Sequence, residues 1–354
     1  MIYSKDKGFN KRFSIYFALS FAISSFILLI YDYSTFIYSY FLTYHFYLLI
    51  STSSLFLLLL LKTLNSRWQI LYEDSLLSFS YLLRFSIPVY MMIFWDNIII
   101  KSIVYPSSTN GLLNVYSDSL FLSIRHIIVL IILLIISLKN KKAQDSKLKN
   151  SGYMLLLTSL SIIILGIDFS LSFSTKWFNS VWCIYYLSIG LQLSVALWIL
   201  FLQLKFKDRT NDLDNNTLSN LGKLLFTFTF LFGYFFFTQF LIVSYSNIPE
   251  EMHFYVQRMQ GYNQITFYIF ISLSFLFPFV ALLFKKVKTN LSHLKIISLI
   301  TLIGQISQFY WILFPQINTL TVNSTILSLI VLIFFSSLFF IGTRNFKRKF
   351  SYSA

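Results

Sequence analysis

Apolar residues along this chain fall neither in the period-two alternation of strands nor in one-sided helical stripes. They form long uncharged runs broken by short polar segments. A bilayer core of about 30 Å asks for about 20 such residues per helix. Strands of a membrane barrel would alternate over about 10 residues instead. The runs predict ten helical spans, near 13–31, 41–61, 77–95, 119–138, 152–171, 180–204, 222–246, 262–284, 292–314 and 325–343. The expected fold is an all-α polytopic membrane protein, one integral membrane domain over 1–354. Spans 2–5 (about 41–171) and 6–9 (about 180–314) form two four-helix sets, with the first and last spans flanking them.

The polar segments then give the orientation. Lys and Arg concentrate in cytoplasmic loops. With the N-terminus inside, the inner segments collect Lys5, Lys7, Lys11 and Arg12, then Lys62 and Arg67, then Lys139, Lys141, Lys142, Lys147 and Lys149. They continue with Lys205, Lys207, Arg209 and Lys223, then Lys285, Lys286, Lys288 and Lys295, and end with Arg344, Lys347, Arg348 and Lys349. Outer loops hold only Lys101, Lys176 and Arg258, while Arg84 and Arg125 fall within spans. One missed span would invert every later loop, so the alternation supports the count. Both termini are expected in the cytoplasm and the chain in a bacterial inner membrane.

Composition agrees. The 354 residues are 56% hydrophobic and 12% charged, against about 25% charged in soluble chains, and the mean hydropathy is +0.70. The net charge of +15 is spread over six separate segments, which disfavours a nucleic-acid partner and leaves the lipid bilayer as the surrounding one. The single cysteine, Cys183, excludes an internal disulfide and an all-cysteine iron–sulfur site. The lysine-flanked first run reads as a span, not as a cleaved leader. The 41 Phe and 23 Tyr fit codon drift better than a cofactor box.

Charged side chains inside a span cost about 2.5–3.5 kcal/mol even on insertion scales, so Arg84 and Arg125 ask for an explanation. Snorkelling to the headgroups is one. No carboxylate lies mid-span, which counts against a stand-alone pump; the nearest is Asp168, at the outer end of span 5. Among the outer acids are Asp118, Asp168, Glu250 and Glu251. Of the four histidines, His45 and His126 fall near the outer side of spans 2 and 4, where a haem pair is geometrically conceivable. The densest polar stretch is Thr238–Gly261. Gln239 and Asn247 bring hydrogen-bonding groups to membrane level there. Pro249 biases Ile248 away from helix, and Glu250 and Glu251 fall where a helix dipole favours anions. Arg258 follows Glu251 by seven residues, as Arg125 follows Asp118.

This stretch resembles a known family. Asn220–Phe226 (NLGKLLF), TQFLIVSYSNIPEE and QRMQG look like quinone-binding subunit 2, the F subunit, of alternative complex III, a quinol:cytochrome c oxidoreductase of the polysulfide-reductase membrane-anchor superfamily. Asn247, Pro249, Glu250, Glu251, Arg258 and Gly261 carry the match, with looser matches at Leu120–Arg125, Ile167–Tyr186 and Leu313–Pro315. The chain departs from the pattern at Tyr72–Asp74, Tyr105–Asn110 and Ser244. The resemblance implies ten spans in two four-helix bundles with flanking helices. It also implies a paralogous membrane subunit and periplasmic iron–sulfur and haem c subunits as partners. On that basis the chain is expected to serve as a scaffold without a redox cofactor, metal or catalytic residue of its own, with a quinone or quinol as candidate ligand. The quinone- and proton-related candidates are Arg125, Asp168, Gln239, Asn247, Glu250, Glu251 and Arg258. Two rival classes stay open: a transporter, in which Pro88 and Pro278 kink spans 3 and 8, and a purely structural anchor.

Overall fold

In hydrocarbon, backbone N–H and C=O groups find no water, so each apolar run must satisfy them internally as a helix. The computed structural model describes residues 33–64, 73–84, 86–87, 90, 116, 118–142, 150–171, 179–205 and 215–313. Of these, 33–47 belong to one compact unit and 48–313 to another. The first unit's described part is the leading half of helix α1 (Tyr33–Thr63), where His45 is buried beside the rings of Phe41 and Tyr44.

The second unit continues α1 and adds α2 (Glu73–Ser80), α3 (Ser119–Lys142), α4 (Ser151–Leu171), α5 (Trp182–Lys205) and α6 (Asn215–Ser246). Then come α7 (Pro249–Arg258), α8 (Tyr262–Ile271), a π-helical segment (Ser272–Leu276), α9 (Phe277–Leu283), α10 (Lys285–Lys288) and α11 (Leu291–Leu313). Seven helical stretches among the described residues are long and apolar enough to cross a membrane: Tyr40–Thr63, Leu120–Asn140, Ser151–Ser170, Trp182–Leu202, Asn215–Ser246, Asn263–Leu283 and Leu291–Ile312. The protein is an all-α polytopic membrane protein. Expected spans 1 and 10 lie outside the described residues, and expected span 3 (77–95) is described only in part, with a helix over Glu73–Ser80; Pro88 and most of the loop after that span also lie outside.

Polar residues of the spans turn inward, and a stripe of apolar ones is left facing outward, as a lipid solvent demands. On α3, Ile124, Ile128, Ile131 and Ile135 are exposed at helical spacing, while Ser123, His126, Ser137 and Asn140 are buried. Helix α5 is the hub, touching α4, α6 and α11, and α11 packs in turn on α8 and the π-segment. Small residues permit these approaches. A Cβ at Gly190 would meet Ser53 Oγ of α1 at 1.9 Å, and Ser54 donates across the same crossing to Ser194 at 3.1 Å.

Helix α6 begins at Asn215, seven residues before the expected start of span 7. Asn215–Asn220 carries too few apolar residues to register in a hydropathy window. Yet Thr217, Leu218, Leu221, Gly222 and Leu225 bury one continuous stripe of the helix, so tertiary packing extends it.

Candidate functional site

Two helix ends on one side of the second unit hold the expected site residues. On α3, Arg125 and His126 follow Leu122 at the three- and four-residue spacing of its buried face. On α4, Asp168 continues the buried stripe of Ser161, Ile162 and Leu165. The two faces meet. Arg125 Nη2 lies 2.5 Å from Asp168 Oδ1, and Arg125 Nε donates to Oδ2 at 3.5 Å. Asp168 is only 3% exposed. A carboxylate so deeply buried needs a paired cation, and the guanidinium fork supplies one.

Aromatic groups complete the cluster. The Arg125 guanidinium carbon stands 3.7 Å from the centroid of the Tyr116 ring, a cation–π contact. Arg125 Nη1 donates to the Tyr116 carbonyl at 3.4 Å, and the Tyr116 hydroxyl reaches Asp168 Oδ1 at 3.5 Å. Burial, with the nearby Asp168 carboxylate, pushes the Tyr116 hydroxyl up to about 12. His126 Nδ1 is 3.8 Å from Asp168 Oδ2, and its ring stacks on Tyr90 at 4.1 Å between centroids. Two expected residues, Arg125 and Asp168, thus come together with three that sequence reasoning left out of the site: Tyr90, Tyr116 and His126. The usable signal was His126 beside Arg125, since neighbouring residues can share one helix face.

The expected seven-residue acid–arginine relationships do not form pairs along their helices. Asp118 instead caps α3, accepting from the Leu120 and Phe121 N–H groups at 3.2 and 3.3 Å. Arg125 crosses to α4.

At the α6–α7 corner the backbone follows the sequence closely. Asn247 adopts φ 48°, the left-handed conformation that ends helices. Its N–H closes α6 on the Val243 carbonyl at 3.2 Å, and its side chain is exposed. Ile248 is extended, and Pro249 opens α7. Glu250 and Glu251 therefore occupy the second and third positions of α7, in its first turn, where the Glu251 and Met252 N–H groups donate to the Ile248 carbonyl at 3.1 and 2.9 Å. Arg258 closes the same helix and turns inward. It is 1% exposed. Its Nε and Nη2 donate to the Ile312 carbonyl at 3.0 and 2.7 Å, and its Nη1 to the Phe254 carbonyl at 2.9 Å. Trp311 Nε1 returns a bond to the Arg258 carbonyl at 3.0 Å. Burial lowers the guanidinium to about 9, which leaves it charged at neutral pH. Gln239 is buried on α6, and its Oε1 has no hydrogen-bond partner among the described residues.

Chemically, the α3–α4 cluster offers a buried carboxylate held by a cation, an imidazole within electrostatic reach, and a neutral phenol at the membrane boundary. Such a set can take, hold and pass a proton. The Arg258 arrangement is different, since it ties α7 to the end of α11 through backbone carbonyls. The chain matches no model of a known protein family, and no curated protein matches it.

Proposed function

We propose that this chain is a membrane subunit of a respiratory quinol:electron-acceptor oxidoreductase, and that the Arg125–Asp168 cluster accepts protons released at its outer face. The observation that carries the reading is the buried ion pair, ringed by Tyr116 and His126, at the helix ends opposite the lysine-rich ends. Lys62 closes α1, Lys139 lies in the last turns of α3, and Lys285, Lys286 and Lys288 form α10. In this reading those ends face the cytoplasm, in keeping with the positive-inside rule, Asp168 lies toward the periplasmic side of a bacterial inner membrane, and both termini are inside. The resemblance over Asn220–Gly261 points the same way.

Oxidising a quinol to a quinone releases two electrons and two protons. In this reading the electrons go to periplasmic iron–sulfur and haem c subunits, and this chain deals with the protons. Asp168, paired with Arg125, takes a proton from a quinol hydroxyl, and His126, 3.8 Å from its Oδ2, is the next group on the path. Tyr116 covers the guanidinium from the side. The α6–α7 corner, with Glu250 and Glu251 at its helix start, gives those partners and a paralogous membrane subunit a surface to dock on.

The test is purification of the complex in mild detergent. The expected result is co-purification of haem c and iron–sulfur subunits, and an Asp168→Asn complex that assembles but oxidises quinol at least about a hundredfold more slowly, the usual scale for losing a positioned proton acceptor. A chain that purifies alone and moves a solute in liposomes would overturn the reading in favour of a transporter.

A further inference from the structure

Four spans converge on Gln192, midway along Trp182–Leu202 and about 15 Å of helix from each end. Its amide nitrogen donates to Thr229 Oγ1 of α6 at 3.0 Å and to the Ser274 carbonyl of the π-segment at 2.8 Å. Thr229 spends its own hydroxyl hydrogen on the Leu225 carbonyl at 2.8 Å, so toward Gln192 it can only accept. This fixes the amide: nitrogen toward Thr229 and Ser274, oxygen away. The oxygen accepts from Gln305 Nε2 of α11 at 2.5 Å.

The chain of bonds leaves remainders. Gln305 Oε1 is fully buried and has no hydrogen-bond partner among the described residues. Three residues on, and so on the same face of α11, Gln308 gives its amide nitrogen to the Tyr185 hydroxyl and likewise keeps a buried, unpartnered Oε1. Gln192 and Tyr185, seven residues apart on α5, face Gln305 and Gln308 in antiparallel order. The geometry is held from behind. Pro278, which has no N–H for the carbonyl four residues before it, leaves the Ser274 carbonyl available to a side chain, and Gly304 lets α11 close on the π-segment, since a Cβ there would stand 2.5 Å from the Ser274 nitrogen.

We propose that this seam is a hydrated site in the middle of the membrane, taking water as a neutral hydrogen-bond donor. A water molecule donating one hydrogen to Gln305 Oε1 and the other to Gln308 Oε1 satisfies both acceptors. The Tyr185 hydroxyl hydrogen, which the bond from Gln308 does not use, supplies a third partner, the usual number for buried water. A bare cation is a poor occupant, because the bonded groups of the seam are all uncharged and an ion at this depth needs a counter-charge. The site is independent of the quinol reading and holds whether or not that reading does.

X-ray radiolytic footprinting of the purified complex in nanodiscs tests it, because hydroxyl radicals form on bound water and oxidise the side chain beside it. Tyr185 is expected to be oxidised several-fold faster than Phe79, an equally buried aromatic, because radicals form on the water in contact with it. Gln305→Leu should remove most of that excess. If that variant does not fold, Gln308→Met is read in the same way. Tyr185 oxidised no faster than Phe79 would overturn the proposal, as would an excess unchanged by either substitution. A high-resolution cryo-EM map of the wild-type complex gives a second measurement: density within hydrogen-bonding distance of both glutamine oxygens supports the site, and a dry seam with the two amides turned onto protein partners refutes it.

Discussion

Arg258 crosses from the end of α7 to the Ile312 carbonyl, one of the last carbonyls of α11, which the helix itself leaves without a partner. The planar fork donates twice to one oxygen and lies 3.7 Å over the Phe254 ring. Lysine offers neither the fork nor the flat stack. Arg258→Lys and Arg258→Met should therefore both destabilise the α7–α11 contact, by about 2–3 kcal/mol on the scale of charged hydrogen bonds. Apparent melting temperature in detergent measures this. A lysine variant as stable as wild type would show that charge alone suffices.

How far the sequence could be read follows from which interactions are local. The apolar runs and the lysine pattern are local, and seven of the expected spans coincide with apolar helical stretches to within a few residues, apart from the early starts of helices α1 and α6, while expected span 3 is described only in part. The Asn247–Ile248–Pro249 corner is local too, because Pro249 constrains its neighbour. The Arg125–Asp168 pair joins residues 43 apart on separate helices, so both were visible as costly charges but not as partners. Arg258 was read as an outer-loop charge because its acceptors are backbone carbonyls, which leave no mark in side-chain identity. The π-segment was illegible for the same reason: SLSFL looks like any other stretch of the span.

Gly304 tests the close approach of α11 to the π-segment. A methyl at this position would stand 2.5 Å from the Ser274 nitrogen and 2.7 Å from the Leu273 carbonyl carbon, both backbone atoms that cannot swing aside. Gly304→Ala should cost at least about 2 kcal/mol, as overpacking does, and lower the yield of folded protein. Gly152→Ala is the control. Nothing lies within 4 Å of a Cβ there, so helix propensity alone should make it neutral or slightly stabilising, by up to about 1 kcal/mol. Thermal melts of the two variants side by side separate the effects.

Tyr116 gives a pH dependence with a definite sign. Its hydroxyl rises from 10.0 to about 12 in the folded protein, so between those values the folded state keeps a proton that the unfolded state has released. The resulting stability is present in full below 10 and is lost as pH climbs through about 12. Tyr116→Phe removes that portion of the alkaline slope. The wild-type melting temperature should fall relative to the variant's as pH rises across this window, and parallel curves would contradict the assignment.

Arg125 and Asp168 can be separated from each other and from catalysis by a double-mutant cycle. Removing one partner of a buried ion pair strands a charge and costs about 3–5 kcal/mol. The solvent that reaches Arg125, 13% exposed, places this pair toward the lower end of that range. Replacing both by apolar residues removes the stranded charge, so Arg125→Met with Asp168→Leu should recover most of the stability that either single substitution loses. A pair that serves only packing would then leave quinol oxidation by the assembled complex intact. A pair that takes protons would leave an assembled, stable complex that still turns over slowly. The informative comparison is therefore the double variant's melting temperature against its quinol-oxidation rate: recovery of the first without the second is the expected outcome, and recovery of both would remove Asp168 from proton transfer.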